Sequence, residues 1–353
     1  MNLKNLRKQI DKIDSNILKL LNERTKIALK IKKLKAEKGL EPYTPDREKA
    51  LLARLVNQNK GILKKESVVA IFREIMSAAL SVEKPLRVAY LGPLATFTHL
   101  ASLKKFGSSV EYVSKDNISD IFSEIEKGSS DYGVVPIENS IEGAVNHTLD
   151  MFIDSDLKIC SEVMLTISHN LLSNSPLNKV RRIYSNPQVF GQCRNWLETN
   201  IHNVEFIEVS STTKAAELAS KTKYSAAIAS TIASKIYNLK IVAERIEDYA
   251  DNVTRFLVIG NSIPNPTGND KSSIMFSIKD KVGALHDMLT PFKRNRINLT
   301  KIESRPSKKK AWEYYFFVDF LGHISDSNVK RALDELMKGC MFLKILGSYP
   351  ISE

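Results

Sequence analysis

The sequence predicts a multidomain chain of α and α/β class, with an all-α segment first, an α/β body second and a small βαββαβ domain last. Three observations carry this. Apolar residues recur at 3,4 spacing through the first 38 residues, a heptad seam. From Arg87 onward, short apolar runs alternate with helical stretches. After a Pro- and Asn-rich stretch at 261–272, strands and helices follow in the order βαββαβ. A chain of 353 residues suits two or three domains, and 43% hydrophobic residues are enough to bury their cores.

The seam runs through Leu3, Leu6, Ile10, Ile13, Ile17, Leu20, Arg24, Ile27, Ile31 and Leu34. A second helix is expected from Pro45, a residue suited to a helix start, to about Asn59, and a third over about 65–83. In the body, "RVAYLG", "YGVVPI", "RRIYS", "VEFIEV", "SAAIAS" and "RFLVIG" read as strands. The stretch 261–272 reads as a linker. After it come a strand (273–278), a helix (283–296), strands at about 298–304 and 312–320, a helix (326–338) and a strand (343–349).

Composition excludes several classes. No apolar run approaches the ~18 residues that span a bilayer. The start, "MNLKNLRKQIDKID", is polar and heptad-like, unlike a secretory signal. Cys160, Cys193 and Cys340 are scattered, so reduced thiols and a cytoplasmic location are expected. The six histidines have no metal-ligand spacing, and neither a metal nor a cofactor is expected.

Residues 1–84 hold 20 Lys+Arg against 10 Asp+Glu, so most of the net charge of +12 lies there. Such a segment suits nucleic acid or a small polyanion. Arg24 sits in the apolar seam, where a guanidinium is costly unless an anion meets it; a lone polar residue that fixes register is the other reading. Lys35 lies eleven residues on, about 20° around the helix, and shares that face. Cations turned into a seam argue against nucleic acid. Arg7 is about 42 Å along the axis from Lys35 and cannot reach the same ligand in one chain. An antiparallel homodimer would bring Arg7 of one chain to Arg24 and Lys35 of the other.

Polar residues collect at strand ends in the body: "AYLGPLATFTHLA" (89–101), "GVVPIENSIEGAV" (133–145), "YSNPQVFGQC" (184–193), "VSSTTKAAELA" (209–219) and "DNVTRF" (251–256). Open α/β sheets bind ligands at such places. Taken alone, "DNVTRF" reads equally as a turn, Asp251 and Asn252, before a β-forming Thr254.

"LRKQIDKID", "LLNERTKIALKIKKLK", "PDRE" and "IFREIMSAALSVE" together resemble an all-helical chorismate mutase domain. The resemblance implies a site of Arg7, Arg24, Lys35, Arg47, Glu48 and Glu83, with Lys35 and Glu83 at the breaking ether oxygen. Thr44 and Ala79 stand where some members carry Asp and Ser. The five polar clusters resemble prephenate dehydratase, which implies two α/β lobes similar to type II periplasmic binding proteins. Thr254 would then be catalytic in the cleft, with Thr96, Asn139, Ser140, Ser185, Gln192 and Arg255 binding substrate. Arg255 suits a substrate carboxylate or a structural role. Ala95 stands where that family has Gly or a small hydroxyl residue, and Asn186 where His is common. "GALH" (283–286) and "ESRP" (303–306) resemble the motifs of an ACT regulatory domain. An L-phenylalanine effector at Gly283, Ala284, Leu285, Glu303, Ser304, Arg305 and Pro306 is implied, with His286 in place of an apolar residue.

The expected domains are therefore 1–84, 87–262 and 272–353. They imply an enzyme of phenylalanine biosynthesis that takes chorismate to prephenate and prephenate to phenylpyruvate, inhibited by phenylalanine, with no nucleic-acid or membrane partner. The alternative is a non-enzymatic small-molecule binding protein on the same two-lobed fold.

Overall fold

The computed structural model describes residues 2–82, 85–249, 251–279, 281–307 and 314–352. They form two compact units, 1–86 with 106–111, and 87–105 with 112–353.

The first unit carries helices α1 (Leu3–Glu37), α2 (Pro45–Gln58) and α3 (Lys65–Ser81). The Asn2 side chain caps α1 by accepting from the Lys4 amide, and Pro45 opens α2 where no amide donor is needed. Helix α3 packs against α1 and α2. With 35 residues α1 far outruns its 14- and 17-residue neighbours and buries no residue of its own. Its seam is left open: Leu3 is 62% exposed and Ile27 59%.

The second unit starts with β1 (Arg87–Leu91), α4 (Phe97–Phe106), β2 (Glu111–Lys115), α5 (Ile118–Glu126), β3 (Tyr132–Asn139), β4 (Gly143–Ala144), α6 (Asn146–Asp154) and β5 (Lys158–Thr166). There follow β6 (Asn170–Ser173), β7 (Arg182–Ser185), α7 (Pro187–Gln192), α8 (Arg194–Asn200), β8 (Glu205–Glu208), α9 (Thr212–Lys221), β9 (Ser225–Ala229), α10 (Thr231–Ile236) and β10 (Lys240–Ala243). Then β11 (Val253–Gly260) returns to the first group of strands.

Two lobes result. One is built on strands in the order β2-β1-β3-β11-β5, the other on β8-β7-β9-β6-β10. The chain crosses between them twice, after β5 and before β11. The crossings run side by side: Ile167 N donates to Asn252 O, and Ile246 N to His169 O, both over 2.8 Å.

The last part is β12 (Asp270–Ser277), α11 (Ala284–Arg294), β13 (Leu299–Pro306), β14 (Tyr314–Leu321), α12 (Ser327–Gly339) and β15 (Phe342–Pro350), the predicted βαββαβ order. Its strands, in the order β13-β14-β12-β15, join the first lobe through β15 beside β5 to make one ten-stranded sheet. The junction is a single parallel pair, Gly347 with Ile159. A Cβ at 347 would run into the Ile159 carbonyl oxygen, so only glycine allows the strands to close. One core continues across the junction and includes Ile137, Phe152 and Leu257 with Met275, Phe317 and Leu346.

The linker expected over 261–272 is shorter than predicted. β12 begins at Asp270, whose buried carboxylate accepts from the Thr267 and Gly268 amides. A turn tied back onto the Asp270 side chain, rather than a flexible link, accounts for the polar run before it.

Candidate active site

Strand β11 lies between β3 and β5, with Thr254 opposite Asn139 on one side and Leu165 on the other. Asn139 Oδ1 accepts from the Ile141 and Glu142 amides at 2.9 and 3.1 Å. That fixes which end of the side-chain amide is the donor. Its Nδ2 gives one hydrogen bond to Asn252 Oδ1 at 2.7 Å and another to Thr254 Oγ1 at 2.8 Å. Thr254 therefore accepts from Asn139, and among the described residues its own hydroxyl donates to none.

The network continues into the second lobe. Gln192 Oε1 accepts from His169 Nε2 at 2.8 Å and lies 3.5 Å from Asn252 Nδ2. Gln192 Nε2 donates to Glu142 Oε1 at 3.0 Å, which sets the amide's orientation. His169 is buried, and burial lowers its pKa, so the ring is neutral with its proton on Nε2. Asn186 caps α7 by accepting from the Gln188 amide, and Pro187 follows it, so the segment turns sharply and puts Gln192 at the helix end.

The other predicted cleft residues have local roles here. The Ser140 hydroxyl donates to Asp251 O and accepts from the Val253 amide, tying the β3–β4 loop to β11. Thr96 donates to Leu91 O and accepts from the His99 amide. Ser185, fully buried, donates to Ile228 O. Arg255 points to the face opposite Thr254, as alternation along a strand requires. Its guanidinium is buried and reaches Glu162, Asp319 and Tyr349.

In the first unit, Lys35 Nζ donates to Glu41 O, Pro42 O and Thr44 Oγ1 at 3.1, 3.0 and 2.9 Å. Burial lowers its pKa despite the nearby carboxylates of Asp46 and Glu41. Burial lowers that of Arg24 as well, and the Arg24 NH1 nitrogen is buried without a hydrogen-bond partner among the described residues. Glu48 accepts from the Tyr43 hydroxyl. Arg7 and Arg47 are exposed. Glu83 lies outside the described residues.

In the βαββαβ domain, Gly283 caps α11 at φ 77°, a conformation natural to glycine. Ala284 is buried, Leu285 half-buried and His286 exposed. Glu303, Ser304, Arg305 and Pro306 end the edge strand β13. Arg305 makes a two-pronged ion pair with Asp150 of α6, at 3.1 and 3.2 Å.

Residues 6–84 match the family model of chorismate mutase type II, 88–263 that of prephenate dehydratase, and 272–336 that of the ACT domain. The bifunctional chorismate mutase/prephenate dehydratase of Aquifex aeolicus is 50% identical over 353 residues, 99% of this chain and 98% of that one. The chain belongs to the bifunctional chorismate mutase/prephenate dehydratase family. The prephenate dehydratase of Methanocaldococcus jannaschii, 39% identical, aligns with 75% of this chain and 98% of its own. The prephenate dehydratase of Arthrobacter aurescens, solved in complex with L-Phe, superposes with a TM-score of 0.69 at 32% identity, covering 75% of this chain and 90% of that one.

In this member of the bifunctional family, Thr254, Asn139 and Gln192 come into one hydrogen-bonded network. Three of its members escaped the sequence reading. Asn252 reads as a turn residue, Glu142 is one acid in a polar loop, and His169 belongs to no motif. Only the pairing of the two crossings brings them together.

Proposed function

We propose that Thr254 is the proton donor of the dehydratase, held by Asn139 in the cleft between the two α/β lobes. The chain is an enzyme with chorismate mutase and prephenate dehydratase activities and carries an ACT domain. Prephenate gives up carbon dioxide and its ring hydroxyl, and aromatisation drives the step. The departing hydroxyl needs a proton or a strong hydrogen bond. A threonine hydroxyl is a weak acid, so placement matters more than acidity. The observation that carries the reading is the Asn139 bond to Oγ1, which leaves the Thr254 proton for the ligand. Thr254→Ala should abolish phenylpyruvate formation and leave prephenate formation intact.

In the mutase we assign Arg7, Arg24, Lys35, Arg47, Glu48 and Glu83 to chorismate. The rearrangement needs no nucleophile. It needs the compact conformer held and positive charge beside the ether oxygen. The unpartnered Arg24 nitrogen and the open seam of α1 support a homodimer in which Arg7 reaches the partner's site. A mixture of Arg7→Ala and Lys35→Ala subunits should regain activity on exchange.

L-phenylalanine is the proposed effector of the ACT domain, held by Gly283–Leu285 and Glu303–Pro306. Free amides at the start of α11 suit a carboxylate, and the Arthrobacter relative was solved with L-Phe. The domain bounds 1–84, 87–262 and 272–353 and a cytoplasmic location belong to the same reading. Calorimetry on the full chain with phenylalanine tests it.

A further inference from the structure

Glu142 is an acid that reaches from one α/β lobe to the other. It lies in the β3–β4 loop of the first lobe, while Gln188 and Gln192 lie on α7 of the second. Its Oε1 accepts from Gln192 Nε2 at 3.0 Å, and its Oε2 lies 3.5 Å from Gln188 Nε2. Among the described residues its carboxylate meets these two neutral amides and no cation. Glu142 is exposed, so water competes for the same oxygens and the contact is weakly held.

The donor it meets is fixed. Gln192 Oε1 accepts from the buried His169 Nε2 at 2.8 Å, so the amide cannot turn over without losing that bond, and its NH2 end stays on the Glu142 side. The acid is also tethered close to the Thr254 hydroxyl. The Glu142 backbone amide donates to Asn139 Oδ1 at 3.1 Å, and Asn139 Nδ2 donates to Thr254 Oγ1 at 2.8 Å. The backbone is therefore pinned while the side chain has solvent to swing into.

We infer that the Glu142 carboxylate is a built-in competitor of prephenate, which takes the Gln192 amide that a substrate carboxylate needs and so sets the KM of the dehydratase. Prephenate is a dianion, and its carboxylates seek the same kind of N–H donor. One that takes the bond from Glu142 must push that side chain into water. One that takes the second N–H of Gln192 lies close to the Glu142 charge and is repelled. Both weaken binding in the ground state and the transition state alike, and neither touches the Thr254 proton, so KM rises and kcat is spared. The inference rests on the dehydratase cleft lying here, with Gln192 among its substrate contacts.

The test is steady-state kinetics of the full-length chain on prephenate. Glu142→Gln keeps the shape of the side chain and removes its charge. KM should fall about five-fold with kcat within about two-fold of wild type, so that kcat/KM rises. Mutase turnover on chorismate should not change, and a thermal melt should match wild type because the side chain is exposed. A kcat/KM no higher than wild type overturns the inference. So does a kcat loss on the order of ten-fold or more, which would make Glu142 a clasp that catalysis needs. Gln192→Ala, measured alongside, separates two kinds of failure. If its kcat and KM match wild type, the substrate contact falls and takes the inference with it. If it loses activity while Glu142→Gln gains nothing, the inference alone fails.

Discussion

Asn139 Nδ2 stands 2.8 Å from Thr254 Oγ1, and Asn139 Oδ1 is held by two backbone amides. The Thr254 oxygen is thereby an acceptor, and its hydroxyl donates to none of the described residues. Asn139→Asp replaces the donor with an acceptor, so the Thr254 hydroxyl turns to donate to it and its proton is no longer free for a ligand. Dehydratase kcat should drop by on the order of a hundred-fold while the mutase rate on chorismate is unchanged. A steady-state comparison of both activities checks this.

Gly347 is the one residue of β15 paired in register with β5 among the described residues. Gly347→Ala places a methyl group against the Ile159 carbonyl and should pry the regulatory strands from the lobe. Two melting transitions should replace one in the second unit. The mutase should keep its rate, since it occupies the other compact unit. Differential scanning calorimetry makes the comparison.

Arg24 has a buried nitrogen with no hydrogen-bond partner among the described residues. A guanidinium there costs stability, which fits its proposed role of meeting the chorismate dianion. Arg24→Met should leave the thermal midpoint of the helical unit unchanged or raised, while mutase kcat/KM falls by on the order of a hundred-fold. A thermal melt with a chorismate assay reads both.

His169 and His99 are buried, and burial lowers the pKa of each, with Gln192 and Glu247 pulling the His169 value back in part. Above the unfolded value of 6.5 both states are neutral and the native state keeps its full stability. As pH falls below 6.5 the unfolded chain takes up protons first, and stability is lost until pH passes the depressed native values. His169→Gln removes one of these titrations. Its stability should fall less steeply than wild type between about pH 6.5 and 5, as urea melts at several pH values can show.

Much of this was legible in the sequence, for physical reasons. The 3,4 seam exposes α1 because no other periodicity fits 35 residues, and the regulatory domain shows itself through short strands between amphipathic helices. Strand β5 was not legible. It is buried along nearly its whole length, but Glu162 breaks the apolar run, and that acid makes sense only once Arg255 and Lys271 are seen beside it. Strand β6 is four residues long, too short for a pattern. Ala95 stands out in sequence only as a departure from Gly. The structure gives the reason glycine is usual there: its φ is 72°. The cleft was half legible. Hydroxyls and amides at strand ends mark it, but which of them meet depends on crossings some eighty residues apart, His169 against Ile246 and Ile167 against Asn252.

The most direct test feeds chorismate to the full-length chain and follows prephenate and phenylpyruvate together, for wild type and Thr254→Ala. Wild type should consume chorismate and release phenylpyruvate. Thr254→Ala should consume chorismate at the same rate and accumulate prephenate. Phenylpyruvate from the folded Thr254→Ala protein at a near-wild-type rate would contradict the account.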